Sequence, residues 1–392
     1  MSNREVVIVS YARTAFGRAP KGSFRNTRPD TMGAHVIKAA LERAPGVKGE
    51  EIEDVIFGCA MPEASQGMNV ARIAALMAGL PDSVPAVTVN RFCSSGLQTI
   101  AQAAERIMVG AIDIAIAGGT ETMSLVPMGG FNPSAAPEAM ESNPEIYTPM
   151  GTTAENVAKK FEVSREDQDA FANASHAKSV AAIESGFLKG EIVPLETEVV
   201  TGAGVTETIT VDTDENVRPT TNLEALAKLR PVFNPKGTVT AGNASPLTDG
   251  AAAVVLMTKE EADKRGLDIL GYYRGFQVAG VPPEIMGIGP VPAIRKLLAK
   301  HDLTIDDIDL FEINEAFAAQ AVYCQRELGV PDEKLNIHGG AISIGHPLGV
   351  SGTRMAGTLL RSLEKTGGRY GVVSMCIGGG MGAAGLFERV AD

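Results

Sequence analysis

The segment Ile52-Glu53-Asp54-Val55-Ile56-Phe57 returns in similar form 253 residues later as Ile305-Asp306-Asp307-Ile308-Asp309-Leu310. Adding the same 253 to Cys93 lands on His346, and each of these residues precedes a glycine-containing turn and a helical pattern. A strand pattern then follows in each half and ends in glycines, Gly118-Gly119 in one and Gly378-Gly379-Gly380 in the other. Similarity at one shared spacing points to a duplicated unit. The alternative is that two αβ segments look alike because such segments generally do.

Short apolar runs at Val6–Val9, Val55–Phe57, Ile112–Ala117, Ala252–Met257 and Val372–Met375 read as buried strands. Helical patterns lie between them. From Leu97 to Met108, the residues Leu97, Ile100, Ala101, Ala104, Ile107 and Met108 share one face. This alternation predicts an α/β fold with mostly buried sheets. Residues 121–245 differ: Pro127, Pro133, Pro137, Pro144 and Pro149 precede a charged helical stretch from Ser164 to Gly190 and a polar strand-like segment from Val199 to Val211. The region reads as an insertion inside the first repeat, and such insertions often carry ligand contacts.

At 392 residues with 44% hydrophobic and 21% charged side chains, the composition is that of a globular enzyme with substantial cores. The net charge of −12 argues against a nucleic-acid binder, which needs a basic surface, but leaves room for a phosphorylated ligand held by a few local cations. Cys59, Cys93, Cys324 and Cys376 are far apart and show no CxxC spacing, so free thiols in a reducing compartment are expected. Met1-Ser2-Asn3-Arg4-Glu5 leads straight into a strand, and no apolar run approaches a membrane span. A cytoplasmic chain without membrane insertion is expected.

Cys93 stands between the apolar run Ala86–Val89 and the start of the amphipathic helix, where the positive end of the macrodipole favours thiolate. An inert core cysteine is the competing reading. His346, followed by Pro347 in a glycine-rich loop, cannot be a packing residue inside a helix and suits an acid/base role. His338 is a weaker candidate. The terminal Gly380-x-Gly382-x-x-Gly385 has the spacing of a dinucleotide loop, but only seven residues follow it, too few for the crossover helix, next strand and acidic residue. These glycines better allow backbone N–H groups to approach a substrate oxygen beside Cys376. Asp309, Glu312 and Glu315 lack a histidine at ligand spacing, so no metal site is expected, and Glu312 reads as solvated charge.

Taken in order, Ala12-Arg13-Thr14, Asn90 to Gly96, Gly118-Gly119-Thr120-Glu121-Thr122-Met123, Met150-Gly151-Thr152-Thr153-Ala154-Glu155, Thr240 to Ser245, Asn314-Glu315-Ala316-Phe317, Gly345-His346-Pro347 and Cys376 to Gly380 resemble motifs of the thiolase family. The resemblance runs across nearly the whole chain. It implies two pseudo-symmetric βαβαβαββ repeats in five layers, α-β-α-β-α, with an inserted loop domain. The expected division is 1–120 plus 246–270 for the first repeat, 121–245 for the insertion and 271–392 for the second repeat. By the same resemblance Cys93 is the nucleophile, His346 its activator and Cys376 the second acid/base. Asn314 holds a water that with His346 forms one oxyanion hole, and the N–H groups of Cys93 and Gly378 form the other. Arg218 and Ser245 map to coenzyme A contacts, and Met150 and Met286 to the acyl pocket. Coenzyme A is a co-substrate, with no tightly bound cofactor.

Carbon–carbon cleavage next to a ketone suits these residue types. A soft thiolate attacks the keto carbon and keeps the acyl group as a thioester, while the departing enolate needs oxyanion stabilisation and a proton. Ketoacyl synthases, which share the fold, pair the cysteine with two histidines, whereas the first such position here resembles Asn314. Many short-chain acetoacetyl-CoA thiolases have a histidine before the Met-Gly-Thr-Thr segment, where this chain has Pro149. That context, with Arg91-Phe92-Cys93-Ser94-Ser95, resembles the degradative 3-ketoacyl-CoA thiolases more closely, and so implies a place in fatty acid β-oxidation. The alternatives are an acetoacetyl-CoA thiolase condensing two acetyl-CoA and, more remotely, a non-catalytic acyl-CoA-binding protein. Acyl-CoA and CoA are the expected partners. A homodimer or homotetramer is expected, with a hydratase/dehydrogenase subunit as a further candidate.

Overall fold

The computed structural model describes residues 4–201 and 204–390. Met1 to Asn3 of the expected start, and Gly202 and Ala203 within the segment Val199 to Val211, lie outside the described residues. In chain order the strands are β1 (Val6–Arg13), β2 (Gly17–Arg18), β3 (Asp54–Gly58), β4 (Ala86–Val89), β5 (Ile114–Thr122), β6 (Leu195–Val200), β7 (Thr206–Val211), β8 (Thr248–Thr258), β9 (Gly271–Gly280), β10 (Leu310–Ile313), β11 (Tyr370–Ile377) and β12 (Met381–Glu388). Strands β6 and β7 form a separate hairpin. The others run in the order β10-β11-β12-β9-β1-β8-β5-β3-β4, with β2 on β8.

That order contains one pattern twice. From the edge inward the first half reads β4-β3-β5-β8-β1, with β3 parallel to both β4 and β5, and with β8 antiparallel to its neighbours. The second half reads β10-β11-β12-β9, and a parallel bridge from Phe311 to Leu335 supplies the rudiment of its outermost strand. The halves meet where β1 and β9 pair over Val6–Ile8.

Equivalent elements begin at Asp54 and Leu310, at Ser95 and Ser351, and at Ile114 and Tyr370, each pair 256 apart. The duplication inferred from sequence is present, but its offset is 256 rather than 253, so the structural counterpart of Cys93 is Gly349. The hydrogen bonds repeat with the same offset. Glu53 N–H donates to Ile114 O (3.1 Å) and the Glu53 carboxylate accepts from Asp113 and Ile114 N–H; Asp309 N–H donates to Tyr370 O (2.9 Å) and its carboxylate accepts from Arg369 and Tyr370 N–H.

Alternation along the strands builds the layers, because successive side chains point to opposite faces. In β8, Ala252, Val254 and Leu256 join a central cluster, while Ala251, Ala253, Val255 and Met257 join an outer one. In the second half, Val373 and Met375 of β11 and Ala383 and Phe387 of β12 face the same centre, while Val372, Ala384 and Leu386 face a third cluster. The centre is filled by helices Ser95–Met108 and Ser351–Thr366, the first outer cluster by Pro29–Glu42 and Val70–Met77, and the third by Pro290–Lys300 and Ala318–Leu328. Three cores separated by two sheet halves make five layers, α-β-α-β-α.

Two sequence expectations need correction here. Gly118 and Gly119 do not end their strand; β5 continues to Thr122. A Cβ on Gly118 would lie 2.3 Å from Ala252 O, and one on Gly119 2.0 Å from Gly349 O, so the glycines let the loop after His346 rest directly on β5. Glu312 is not solvated. It is 2% exposed and pairs with the equally buried Arg354 at 3.1 Å.

The insertion contributes helix Arg165–Glu184, whose N-terminus carries a Ser164/Asp167 capping box, and is tied to β1 by buried Arg13. Arg13 bonds Asp214 at 2.7 and 2.8 Å and Glu191 at 2.9 Å. No helix among the described residues is long and apolar enough to cross a membrane.

Candidate active site

The two central helices meet at their N-termini, and the candidate residues collect there. A Cβ on Gly352 would sit 2.2 Å from Leu97 N, and one on Gly96, its counterpart, 2.7 Å from Thr353 Oγ1. Only glycine lets these first turns approach so closely.

Cys93 lies in a single 3₁₀ turn, Phe92–Ser94, leading into Ser95–Met108. Phe92 is held at φ +43°, a conformation unusual for a bulky residue. Asn90 secures it: its Oδ1 accepts from Phe92 N–H (2.8 Å) and its Nδ2 donates to Ala60 O (3.0 Å). The Cys93 side chain packs in a small cluster with Ala19, Ala60, Met123 and Leu348 and is 6% exposed, whereas Cys59, Cys324 and Cys376 have no exposure. The backbone N–H groups of Gly378 and of Cys93 itself favour the charged form of the sulfur. The sequence predicts a helix start that favours thiolate; burial acts against it. Burial pushes the Cys93 thiol up to about 12, opposed by those two N–H groups and reinforced by the charge of Glu121.

His346 is 4% exposed, and its N–H donates to Thr248 Oγ1 at 3.0 Å. Nδ1 lies 2.6 Å from Ser351 Oγ, and Ser351 Oγ donates to Pro347 O at 3.1 Å. The single hydroxyl proton is thus committed to a carbonyl, so the network assigns the ring proton to Nδ1. Nε2 is left as the acceptor, facing Asn314 Nδ2 at 3.2 Å. Burial, with Arg354 adding to it, pushes the imidazole down to about 3, so it rests neutral. Asn314 follows β10, anchored by its N–H to Ser374 O at 2.9 Å, and its buried Oδ1 has no partner among the described residues.

Cys376, near the end of β11, belongs to an apolar cluster with Ala154, Val239, Met286, Ala316 and Phe317, against which Met150 packs. Burial, then the neighbouring Cys93 and Cys324 sulfurs, hold its thiol well above the ordinary range. A Cβ on Gly378 would meet Met150 Cε at 2.9 Å and Phe92 Cδ2 at 3.7 Å, so the wall of this cluster adjoins the turn that carries Cys93. Gly379 and Gly380 turn the chain at positive φ into β12, where Gly382 and Gly385 are ordinary strand positions; the dinucleotide pattern is an antiparallel hairpin.

Arg218 and Ser245 stand outside this cluster, on segments that touch its loops. Arg218 is exposed, with its N–H 3.2 Å from His176 Nδ1, and two residues earlier Asn216 donates to Ile344 O at 3.2 Å. Ser245 is half-buried and its N–H donates to Ala316 O at 3.0 Å. His338 is not drawn in; it stacks on Phe187 with ring centroids 3.7 Å apart. A cavity of about 540 Å³ borders Glu315 and Asn336 rather than the thiols.

Sequence reasoning did not single out Ser351, Thr248 or Glu121 individually. Thr248 is 98 residues from the histidine it holds, and nothing local marks it. Ser351 gives only the signal of a hydroxyl opening a helix five residues after His346.

Residues 6–260 match the family model described as thiolase, N-terminal domain, and residues 267–389 that of the thiolase C-terminal domain. The chain is 54% identical over 390 residues to a 3-ketoacyl-CoA thiolase of Bacillus subtilis (strain 168), covering 98% of this chain and 99% of that one. It is 50% identical over 389 residues to the peroxisomal 3-ketoacyl-CoA thiolase A of Mus musculus, covering 99% and 91%. Among solved structures, the crystal structure of the Bacillus anthracis acetyl-CoA acetyltransferase superposes with a TM-score of 0.90 at 39% identity, covering 99% of this chain and 100% of that one.

Proposed function

The chain belongs to the thiolase family of acyltransferases, and from that premise we propose that it cleaves 3-ketoacyl-CoA with CoA, giving acetyl-CoA and a shortened acyl-CoA through an acyl-enzyme on Cys93. The relatives at about half identity over nearly the full length are named 3-ketoacyl-CoA thiolases, which supports a degradative role in fatty acid β-oxidation. The single observation that carries the chemistry is the buried His346, with Nδ1 2.6 Å from Ser351 Oγ and Nε2 facing Asn314 Nδ2 at 3.2 Å.

Burial disfavours both the lone thiolate and the lone imidazolium, so the resting pair is neutral. Proton transfer from Cys93 to His346 Nε2 therefore accompanies attack on the keto carbon, when charge passes to an oxygen held by the N–H groups of Cys93 and Gly378. As the tetrahedral centre collapses the carbon–carbon bond breaks, and acetyl-CoA leaves as its enolate. Protonated His346 and a water held by Asn314 stabilise the enolate oxygen, and Cys376, whose raised pKa keeps it protonated, gives its proton to the carbon. The Cys376 thiolate then takes the thiol proton of incoming CoA, the new thioester forms, and Cys93 recovers its proton from His346. Arg218 and Ser245 hold CoA, and Met150 and Met286 line the acyl pocket. We place the chain in the cytoplasm as a homodimer or homotetramer.

Brief iodoacetamide treatment followed by peptide mapping is expected to label Cys93 first, since it alone of the four thiols has surface access. Loss of activity with Cys93 unmodified would overturn the assignment. Cys376→Ser is expected to slow thiolysis far more than acylation of Cys93; equal loss in both half-reactions makes Cys376 structural. Thiolysis of four-, eight- and twelve-carbon substrates tests the degradative reading. Each buried methylene contributes up to about 0.8 kcal/mol, so kcat/KM for the medium chain should at least equal that for acetoacetyl-CoA. Activity confined to the four-carbon compound moves the chain to the acetoacetyl-CoA class.

A further inference from the structure

Glu121, the penultimate residue of β5, is 1% exposed and pairs with no cation among the described residues. Its carboxylate is instead ringed by donors. Oε2 accepts from Ala60 N–H and Gly349 N–H, each at 2.7 Å. Oε1 accepts from Gln66 Nε2 at 2.9 Å and Met61 N–H at 3.2 Å, with the Cys59 thiol at 3.7 Å. The two Oε2 donors belong to opposite halves of the molecule. Ala60 lies in the loop after β3, and its carbonyl receives the Asn90 amide that secures the strained turn before Cys93. Gly349 follows His346 by three residues, in the loop that lies on Gly119. Ala60 and Leu348, on either side of this bridge, belong to the small buried cluster that contains Cys93.

We propose that Glu121 is a positioning residue for the reaction: its carboxylate clamps the loop behind the nucleophile to the loop after the histidine and so sets the approach of Cys93 to His346. This rests on the assignment of those two residues as nucleophile and base. A carboxylate is required because every neighbour donates; an amide would turn an NH₂ group toward an N–H. Glu121 touches neither substrate nor the reacting atoms in this account, so its effect falls on the rate of acylation and not on the binding of CoA, whose contacts lie elsewhere.

The test compares wild type, Glu121→Gln and Glu121→Asp in the full-length protein, with acylation of Cys93 by a 3-ketoacyl-CoA followed in single turnover and CoA affinity followed by calorimetry. A misplacement near an ångström costs about 100-fold in rate, so Glu121→Gln should acylate about 100-fold more slowly. Glu121→Asp, which keeps an acceptor-only group on a shorter stem, should recover part of that loss, and both variants should bind CoA within about threefold of wild type if the contacts are independent. Acylation at the wild-type rate in both variants overturns the proposal, as does a parallel loss of acylation and CoA affinity. If the glutamine variant fails to fold, the aspartate variant decides alone: slowed acylation with unchanged CoA binding supports the clamp, and an unchanged rate refutes it. Failure to trap an acyl group on wild-type Cys93 would instead mark failure of the underlying assignment.

Discussion

At the scale of single residues, the site is governed by burial. Cys93 and His346 both lie in surroundings that oppose their charged forms, and at Cys93 the backbone N–H groups are a smaller effect than burial. The tautomer of His346 depends on Ser351, through a 2.6 Å contact to Nδ1. Ser351→Ala removes that contact and frees the ring to protonate at Nε2, where it cannot accept the Cys93 proton. With a neutral hydrogen bond contributing about 1 kcal/mol, kcat should fall roughly fivefold while KM stays near wild type. An unchanged kcat would show that Asn314 and packing alone hold the tautomer. Glu312 teaches the same lesson about context. On sequence it is one acidic side chain among several; in the fold it is sealed against Arg354.

At the scale of elements, the decisive contact is between the first turns of the two central helices. Gly96 and Gly352 occupy equivalent places, and each would drive a Cβ into the other helix. Gly352→Ala meets the backbone nitrogen of Leu97, which cannot give way as a flexible side chain could. The overpacking should cost about 1–3 kcal/mol, and because it forces apart the helices that follow Cys93 and His346, activity should fall by more than the loss of folded protein explains. Urea unfolding and turnover on the same preparation check this; wild-type values in both would mean that the helices separate without consequence. The strands and helices themselves were largely legible, since Val6–Val9, Ala252–Met257 and Leu97–Met108 carry plain apolar patterns. Less legible was β12, read as a glycine loop, because Gly382 and Gly385 are selected by close neighbours (Gly289 and Leu97) that no local pattern reveals.

At the scale of the whole molecule, titration of buried groups links stability to pH. His338, stacked on Phe187, is pushed down to about 4 by burial and then by Lys365 and Arg361. Below its ordinary 6.5 the unfolded chain binds a proton there that the folded chain does not, so this residue's contribution is lost as pH falls from 6.5 toward 4. Discounted for the ring's partial solvent screening, the loss at about pH 5 is on the order of 1 kcal/mol. His338→Phe keeps the ring stack and removes the titration, so its drop in urea midpoint between about pH 7 and about pH 5 should be smaller than that of wild type. Equal drops would show that His338 does not report on folding.

The sequence by itself determined the family motifs, the duplication and the buried strands. Those features are written in residue identity, in order along the chain and in short apolar runs, none of which depends on distant neighbours. What only the tertiary structure decided are the relations between residues far apart. The offset of 256, not 253, emerges from element starts rather than from matching letters. The neutrality of Cys93 and His346, the burial of Glu312, and the clamp from Glu121 to Gly349 across 228 residues belong to the same class. Desolvation and hydrogen bonding are set by what the fold brings within a few ångströms of a group, and that neighbourhood exists only once five layers have closed around it.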